Sequence, residues 1–357
     1  MNNMRCCGII EGYFGTPWSM EDRLSYPSFM AEYGYSFFIY APKNDLFLRK
    51  SWDKPWNEDY LAGLRKLKEA FNKKNIDFGI GYTPAGQASE IAGHPEQLQE
   101  RIREMDKELH PDYFALLFDD LKNNDADRLA YFQLQIADKV FQELSGVKRF
   151  IVCPSYYSFD PVLDRVFGVR PKSYWEEYAG GLDPHTDIFW TGEKVCSSGF
   201  SAEHLLQVAE IFGRKPFLWD NYPVNDGKKL ADYLFLEPFS NRGPEICELT
   251  SGHGINPMRE PLVNKLVLAT LPFSYRGKSL THASPEYWEL SEKILGSGTT
   301  CQLRQDCEIF ARIGRASLDQ DKLADLTEIY NRIGTPSALE ICRYLKGDYA
   351  FDPDCLT

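Results

Sequence analysis

Residues 113–118, YFALLF, run without a charge or a regular polar alternation and stop abruptly at Asp119 and Asp120. An amphipathic helix would place polar residues every third or fourth position, and a half-exposed strand every second. A strand covered on both faces remains, and such strands belong to parallel sheets flanked by helices. The two carboxylates then lie at its C-terminal end, where the loops of such sheets converge on ligands. Successive strand side chains point to opposite faces, so adjacent acids share a pocket only if the chain breaks into a loop. Leu121, Lys122, Asn123 and Asn124 supply that break. The pair could equally cap the helix that follows, a common use of Asp and Asn.

Short apolar segments of the same kind recur at 6–11, 36–40, 77–82, 149–153, 187–190 and 216–219, with an eighth inside 245–255. Between them, 20–33, 57–75, 94–109, 127–144 and 201–212 carry apolar residues at helical spacing. Eight strands alternating with helices predict the α/β class and a (β/α)8 TIM barrel over residues 1–283. From residue 284 the strand signals cease. Apolar positions from Trp288 to Ile341 fall in helical segments punctuated by Gly296, Gly298, Gly334 and Pro336, which predicts a small helical C-terminal region over 284–357. A chain of 357 residues, 43% hydrophobic, suits one barrel with an appendage better than several small domains.

Charge narrows the partners. A formal charge of −12, with no long Lys/Arg cluster, disfavours nucleic acid and anionic membranes, which need a basic stripe. No apolar run approaches a membrane span, and the N-terminal residues lead straight into a strand without a signal-peptide pattern. Nine cysteines, scattered without a C-x-x-C pair or histidines at metal spacing, read as reduced thiols and point to the cytoplasm.

The strand ends share a chemistry. Gly12 and Gly15 frame two aromatics in a turn where backbone can approach a ligand, and Lys43 ends the second strand, an unusual place for a charge that must reach water, an anion or a polar ligand. Asp119 and Asp120, then Tyr157, Trp219, Asn221, Asp226 and Asn256 complete the set. Carboxylates, amides, an amine and aromatic faces are what a pyranose requires: hydroxyls are read by hydrogen bonds, and the flatter C–H face stacks on a ring. Each residue alone has a plainer use, as core aromatic, turn former or helix cap.

The segments EGYFGTPW, IYAPKND, LLFDDL, FIVCPSYY, FWTGEKV, LWDNYPVND and the INP turn, in that order, resemble the catalytic barrel of glycoside hydrolase family 84, the O-GlcNAcase and bacterial β-N-acetylglucosaminidase family. The resemblance covers roughly residues 5–275. It implies a retaining β-N-acetylglucosaminidase that uses the substrate's own 2-acetamido oxygen as nucleophile, without metal or organic cofactor. Its substrate would be a GlcNAc-bearing glycan or glycoprotein. Asp119 would orient the acetamido group and Asp120 would act as general acid and base. Gly12, Lys43, Tyr157, Trp219, Asn221, Asp226 and Asn256 would surround the sugar, Lys43 and Asp226 on its hydroxyls and Tyr157 and Trp219 along the acetamido pocket.

Two departures bear on specificity. The family's Gly-Phe-Tyr-Gly turn reads Gly12-Tyr13-Phe14-Gly15, so only Tyr13 could offer that turn's hydroxyl, and the Lys-Asp-Asp run reads Lys43-Asn44-Asp45. The alternatives are a catalytically silent GlcNAc-binding protein of the same fold, a Schiff-base lyase using Lys43, and a metal hydrolase using Asp119, Asp120 and Asp226.

Overall fold

A computed structural model describes residues 6–119 and 126–351. Its centre is a closed barrel of eight parallel strands in chain order: β1 (Cys7–Glu11), β2 (Phe37–Tyr40), β3 (Asp77–Tyr82), β4 (Tyr113–Leu117), β5 (Arg149–Cys153), β6 (Asp187–Trp190), β7 (Phe217–Asp220) and β8 (Gly252–Ile255). β8 closes on β1 with Gly8 beside Gly254. The (β/α)8 expectation holds.

The strands are buried almost throughout, as their unbroken apolar runs require. Alternation sends every second side chain inward. Inside the barrel Phe37 stacks on Tyr113 at 5.1 Å between ring centroids, meets Phe217 edge-on at 5.6 Å, and Phe217 meets Phe189 at 5.2 Å. Phe189 also meets Trp219 edge-on at 5.1 Å, so aromatic packing climbs from the barrel's interior to its mouth.

The helices begin where the sequence supplies caps. Asn57 accepts from the Tyr60 N–H to open Glu58–Asn72, and Ser201 from the His204 N–H to open Ala202–Phe212. The segment 20–33 forms two helices, Met20–Leu24 and Tyr26–Tyr33, because Pro27 cannot continue the hydrogen-bond ladder of the first. The eighth strand is shorter than its host segment: a helical turn, Ile246–Leu249, precedes it.

Between β7 and β8 the chain makes a long excursion, residues 221–245, in place of a long crossover helix. Helices Pro285–Leu295, Ser297–Glu308, Gln320–Ile333 and Pro336–Lys346 follow the barrel. The last of them and the segment between the second and third brace this excursion: Leu234 N–H donates to Phe310 O at 3.1 Å, Arg315 N–H to Asp232 O at 2.8 Å, and the Tyr344 hydroxyl also bonds Asp232 O. On the barrel side, Glu340 accepts the N–H groups of Leu262 and Val263, capping helix Pro261–Leu268 from another element. No helix among the described residues is long and apolar enough to cross a membrane.

Candidate active site

The turn after β1 is the hub of the barrel mouth because its backbone N–H groups fan out to three other loops. Gly12 N–H donates to Asn256 Oδ1 at 3.3 Å, Phe14 N–H to Asp226 Oδ2 at 2.8 Å, and Gly15 N–H to Asn44 Oδ1 at 3.2 Å. Glycine at position 12 is a packing requirement, since a Cβ there would lie 2.4 Å from Cζ2 of Trp219. At Gly15 φ is +105°, which only glycine adopts without strain.

Tyr13 points away from this mouth. Its hydroxyl accepts the Trp18 N–H at 3.0 Å and lies 3.4 Å from Glu11, so it does not supply the hydroxyl that the sequence left open. Phe14 lines the cavity instead. Asp45 is spent on structure, accepting from the hydroxyls of Tyr40 and Tyr60.

Lys43 and Asp119 face each other across the barrel mouth. Both are buried, and the ammonium donates to Asp119 Oδ2. Among the described residues Asp119 Oδ1 has no hydrogen-bond partner. A buried carboxylate oxygen without a donor is costly, so its place beside an open cavity marks it as an acceptor awaiting one. The strand end that carries it is anchored, because Ser155 Oγ donates to Phe118 O at 3.0 Å and Gln133 holds Ser155 at 2.7 Å. Asp120 and the break 121–124 lie outside the described residues.

The opposite wall is an amide chain. Trp219 Nε1 and Asn256 Nδ2 each donate to Asn221 Oδ1 at 3.0 Å, and Asn221 Nδ2 donates to Val195 O at 2.8 Å. Asp220 sits behind this wall and is fully committed. Arg242 grips both its oxygens at 2.8 and 2.9 Å, and His253 adds a contact at 3.1 Å. Burial is the largest single effect and would raise its carboxyl, but Arg242 and His253 together outweigh it and hold the group below the usual range. Asp226 differs: enclosure by protein raises its pKa, only partly opposed by the Phe14 N–H and the charges of Arg259 and Lys43.

Gly12, Lys43, Asp119, Tyr157, Trp219, Asn221, Asp226 and Asn256 thus line one cavity of about 180 Å³. The space far exceeds what one water needs and has aromatic walls with few polar groups, as a small-molecule site does. Phe14, Cys153, Thr191, Val195, Cys196 and Val224 line it too and were not singled out from the sequence. Cys153 and Thr191 end or follow strands and could have been found by position; Val195 and Val224 are apolar loop residues with no local signal. Among the described residues no group of three His, Cys, Asp or Glu is placed to hold a metal ion.

Known proteins share this architecture. A family model described as beta-N-acetylglucosaminidase matches residues 7–302. The protein O-GlcNAcases of Rattus norvegicus and Mus musculus are each 28% identical over 279 residues, 76% of this chain, which spans only 30% of their length. An O-GlcNAc hydrolase mutant from Thermobaculum terrenum superposes with a TM-score of 0.74 at 25% identity, covering 97% of this chain and 82% of that one. CpGH84B shares the fold at 24% identity and a TM-score of 0.71, covering 99% of this chain and 65% of that one. The chain belongs to the beta-N-acetylglucosaminidase family, glycoside hydrolase family 84.

Proposed function

We propose that the chain is a retaining β-N-acetylglucosaminidase of the O-GlcNAcase type, releasing terminal β-linked GlcNAc from glycoproteins or glycans through an oxazoline intermediate. The observation that carries this reading is Asp119, a buried carboxylate on the cavity with one oxygen held by Lys43 and the other without a partner among the described residues. Family membership and the O-GlcNAcase relatives support the same chemistry.

In this mechanism Asp119 Oδ1 accepts the acetamido N–H and turns the carbonyl oxygen toward the anomeric carbon. That oxygen attacks C1 as the glycosidic bond breaks, and Asp120 gives its proton to the departing oxygen. Asp120 then takes a proton from water, which opens the oxazoline at C1 and restores both the acetamide and the starting configuration. A nucleophile already placed within the substrate removes up to roughly 7–11 kcal/mol of barrier. The general acid and base contributes about 10² to 10⁴ in rate. Lys43 and Asp226 hold sugar hydroxyls, and Tyr157, Trp219, Asn221, Asn256 and Gly12 shape the acetamido pocket and its wall. The barrel carries all of these groups, and the helices from Pro285 to Lys346 form a buttress beside it. Cys6, Cys7, Cys196, Cys301, Cys307 and Cys342 are free thiols, which fits a reducing compartment such as the cytoplasm.

The test is hydrolysis of an aryl β-N-acetylglucosaminide against the matching β-glucoside by wild type, Asp119→Asn and Asp120→Asn. The expected result is cleavage of the acetamido sugar alone, lost in the first variant and partly recovered in the second when the leaving group is good. Folded protein that binds an oxazoline mimic without cleaving the substrate would replace this reading with a silent GlcNAc-binding protein.

A further inference from the structure

The turn after β8 buries a cation that the mechanism above does not use. Arg259 is 1% exposed; both its Nη groups donate to main-chain carbonyls, and its Nε has no partner among the described residues. Nη2 donates to Asn225 O at 3.0 Å and Ala231 O at 3.4 Å, while Nη1 reaches Ala350 O at 3.3 Å. The Arg259 N–H donates to Asn225 Oδ1 at 3.1 Å, and Asn225 Nδ2 in turn holds Glu260 Oε2 at 2.8 Å. The stem of Arg259 underlies the turn after β1, since a Cβ on Gly15 would come within 3.1 Å of Arg259 Cδ.

Arg259 therefore touches both halves of one contact at the cavity mouth. Asp226 projects from the segment it grips at Asn225 and Ala231, and the Phe14 N–H that holds Asp226 belongs to the turn it supports. Burying a guanidinium is expensive unless hydrogen bonds offset the lost water, and carbonyls offset it less completely than a carboxylate. We propose that Arg259 is a positioning residue that sets Asp226 in the sugar cavity and ties that setting to the C-terminal segment at Ala350. The proposal deepens the β-N-acetylglucosaminidase reading and rests on it. Its positive charge also opposes the effect of burial on Asp226. Loosening the segment around Ala350 then weakens sugar binding without touching the acid pair.

The test is a double-mutant cycle in the full chain: wild type, Arg259→Gln, Arg259→Lys, Asp226→Ala and the two doubles, assayed with an aryl β-N-acetylglucosaminide. Arg259→Gln is expected to raise KM roughly ten-fold while kcat falls less than about three-fold. Arg259→Lys, which keeps the charge but fewer donors, should recover part of that loss. With Asp226 already truncated, the same substitutions should change KM less than about two-fold. An equal rise in KM with and without Asp226, tracking a fall in melting temperature, would make Arg259 a structural stake and overturn the proposal. If Arg259→Gln does not fold, the cycle is run with Arg259→Lys. Binding of N-acetylglucosamine, followed by tryptophan fluorescence, gives the same cycle without turnover, so a wild type that binds but does not cleave would count against the glycosidase reading alone.

Discussion

Among the described residues, three buried carboxylates stand at or just past the C-terminal ends of barrel strands, and they are built in two ways. Glu11 at the end of β1 is gripped through both oxygens by Arg23 at 2.7 Å, and Asp220 at the end of β7 is gripped through both by Arg242. Asp119 after β4 gives one oxygen to Lys43 and leaves the other without a partner among the described residues. Burial does not separate them, since all three are at most 6% exposed. Hydrogen-bond partners do: both oxygens of the first two already hold donors, which leaves neither oxygen open to a ligand. Arginine, with its planar fork, satisfies a carboxylate completely, whereas a lysine ammonium on one oxygen leaves the other available.

This contrast can be broken by experiment. The largest effect expected is in Asp119→Asn, whose kcat should fall by about 10² to 10³ with little change in melting temperature, because its neighbours keep their packing. A large loss of stability would place Asp119 with the structural pair. Second, Arg242→Met should do the reverse. It strands Asp220 in the core and should cost about 3–5 kcal/mol of stability by denaturant unfolding, and activity restored simply by cooling would confirm that loss as structural.

Third, Gly12→Ala forces a Cβ against the Trp219 ring and should cost about 1–3 kcal/mol while raising KM. An unchanged KM would mean that the ring can move without consequence for the ligand. Smallest and most gradual is a pH effect on stability. Burial pushes the carboxyl of Glu260 up to about 7 and that of Glu340 up to about 8. Raised in the folded state, both favour folding most while protonated, so their contribution is full below the unfolded carboxylate range and declines as pH rises through about 7 and then 8. Melting temperature should therefore fall across that window, and Glu340→Gln should flatten the fall while retaining one acceptor for the helix it caps.

The sequence was most legible where one local rule sufficed. Apolar runs located seven of the strands, because a parallel barrel buries both faces of each, whereas the eighth, GHGI, showed only as part of a longer segment. Polar residues at those strand ends located most of the cavity lining, since closure brings every C-terminal end to one mouth. What it hid depended on distant partners. Nothing local in Tyr13-Phe14 says which ring turns inward; that is decided by the Trp18 N–H and by Glu11, which claim the tyrosine hydroxyl. Nothing local marks Asp220 as spent and Asp119 as available, because Arg242 lies 22 residues from the one and Lys43 lies 76 from the other. Nor does the excursion 221–245 announce the helices that brace it, since these contacts are made through its own main-chain atoms.

The amide of Asn221 carries one further consequence. An indole nitrogen can only donate, so the atom of Asn221 facing Trp219 Nε1 must be oxygen, and the donation from Asn256 agrees. The nitrogen of that amide is thereby turned toward Val195 O, with one hydrogen uncommitted among the described residues. One face of the cavity is wired as a donor and the Asp119 face as an acceptor, and neither can reverse without breaking a bond elsewhere. The mouth has a fixed polarity, and a guest must arrive with its own donor and acceptor the right way round.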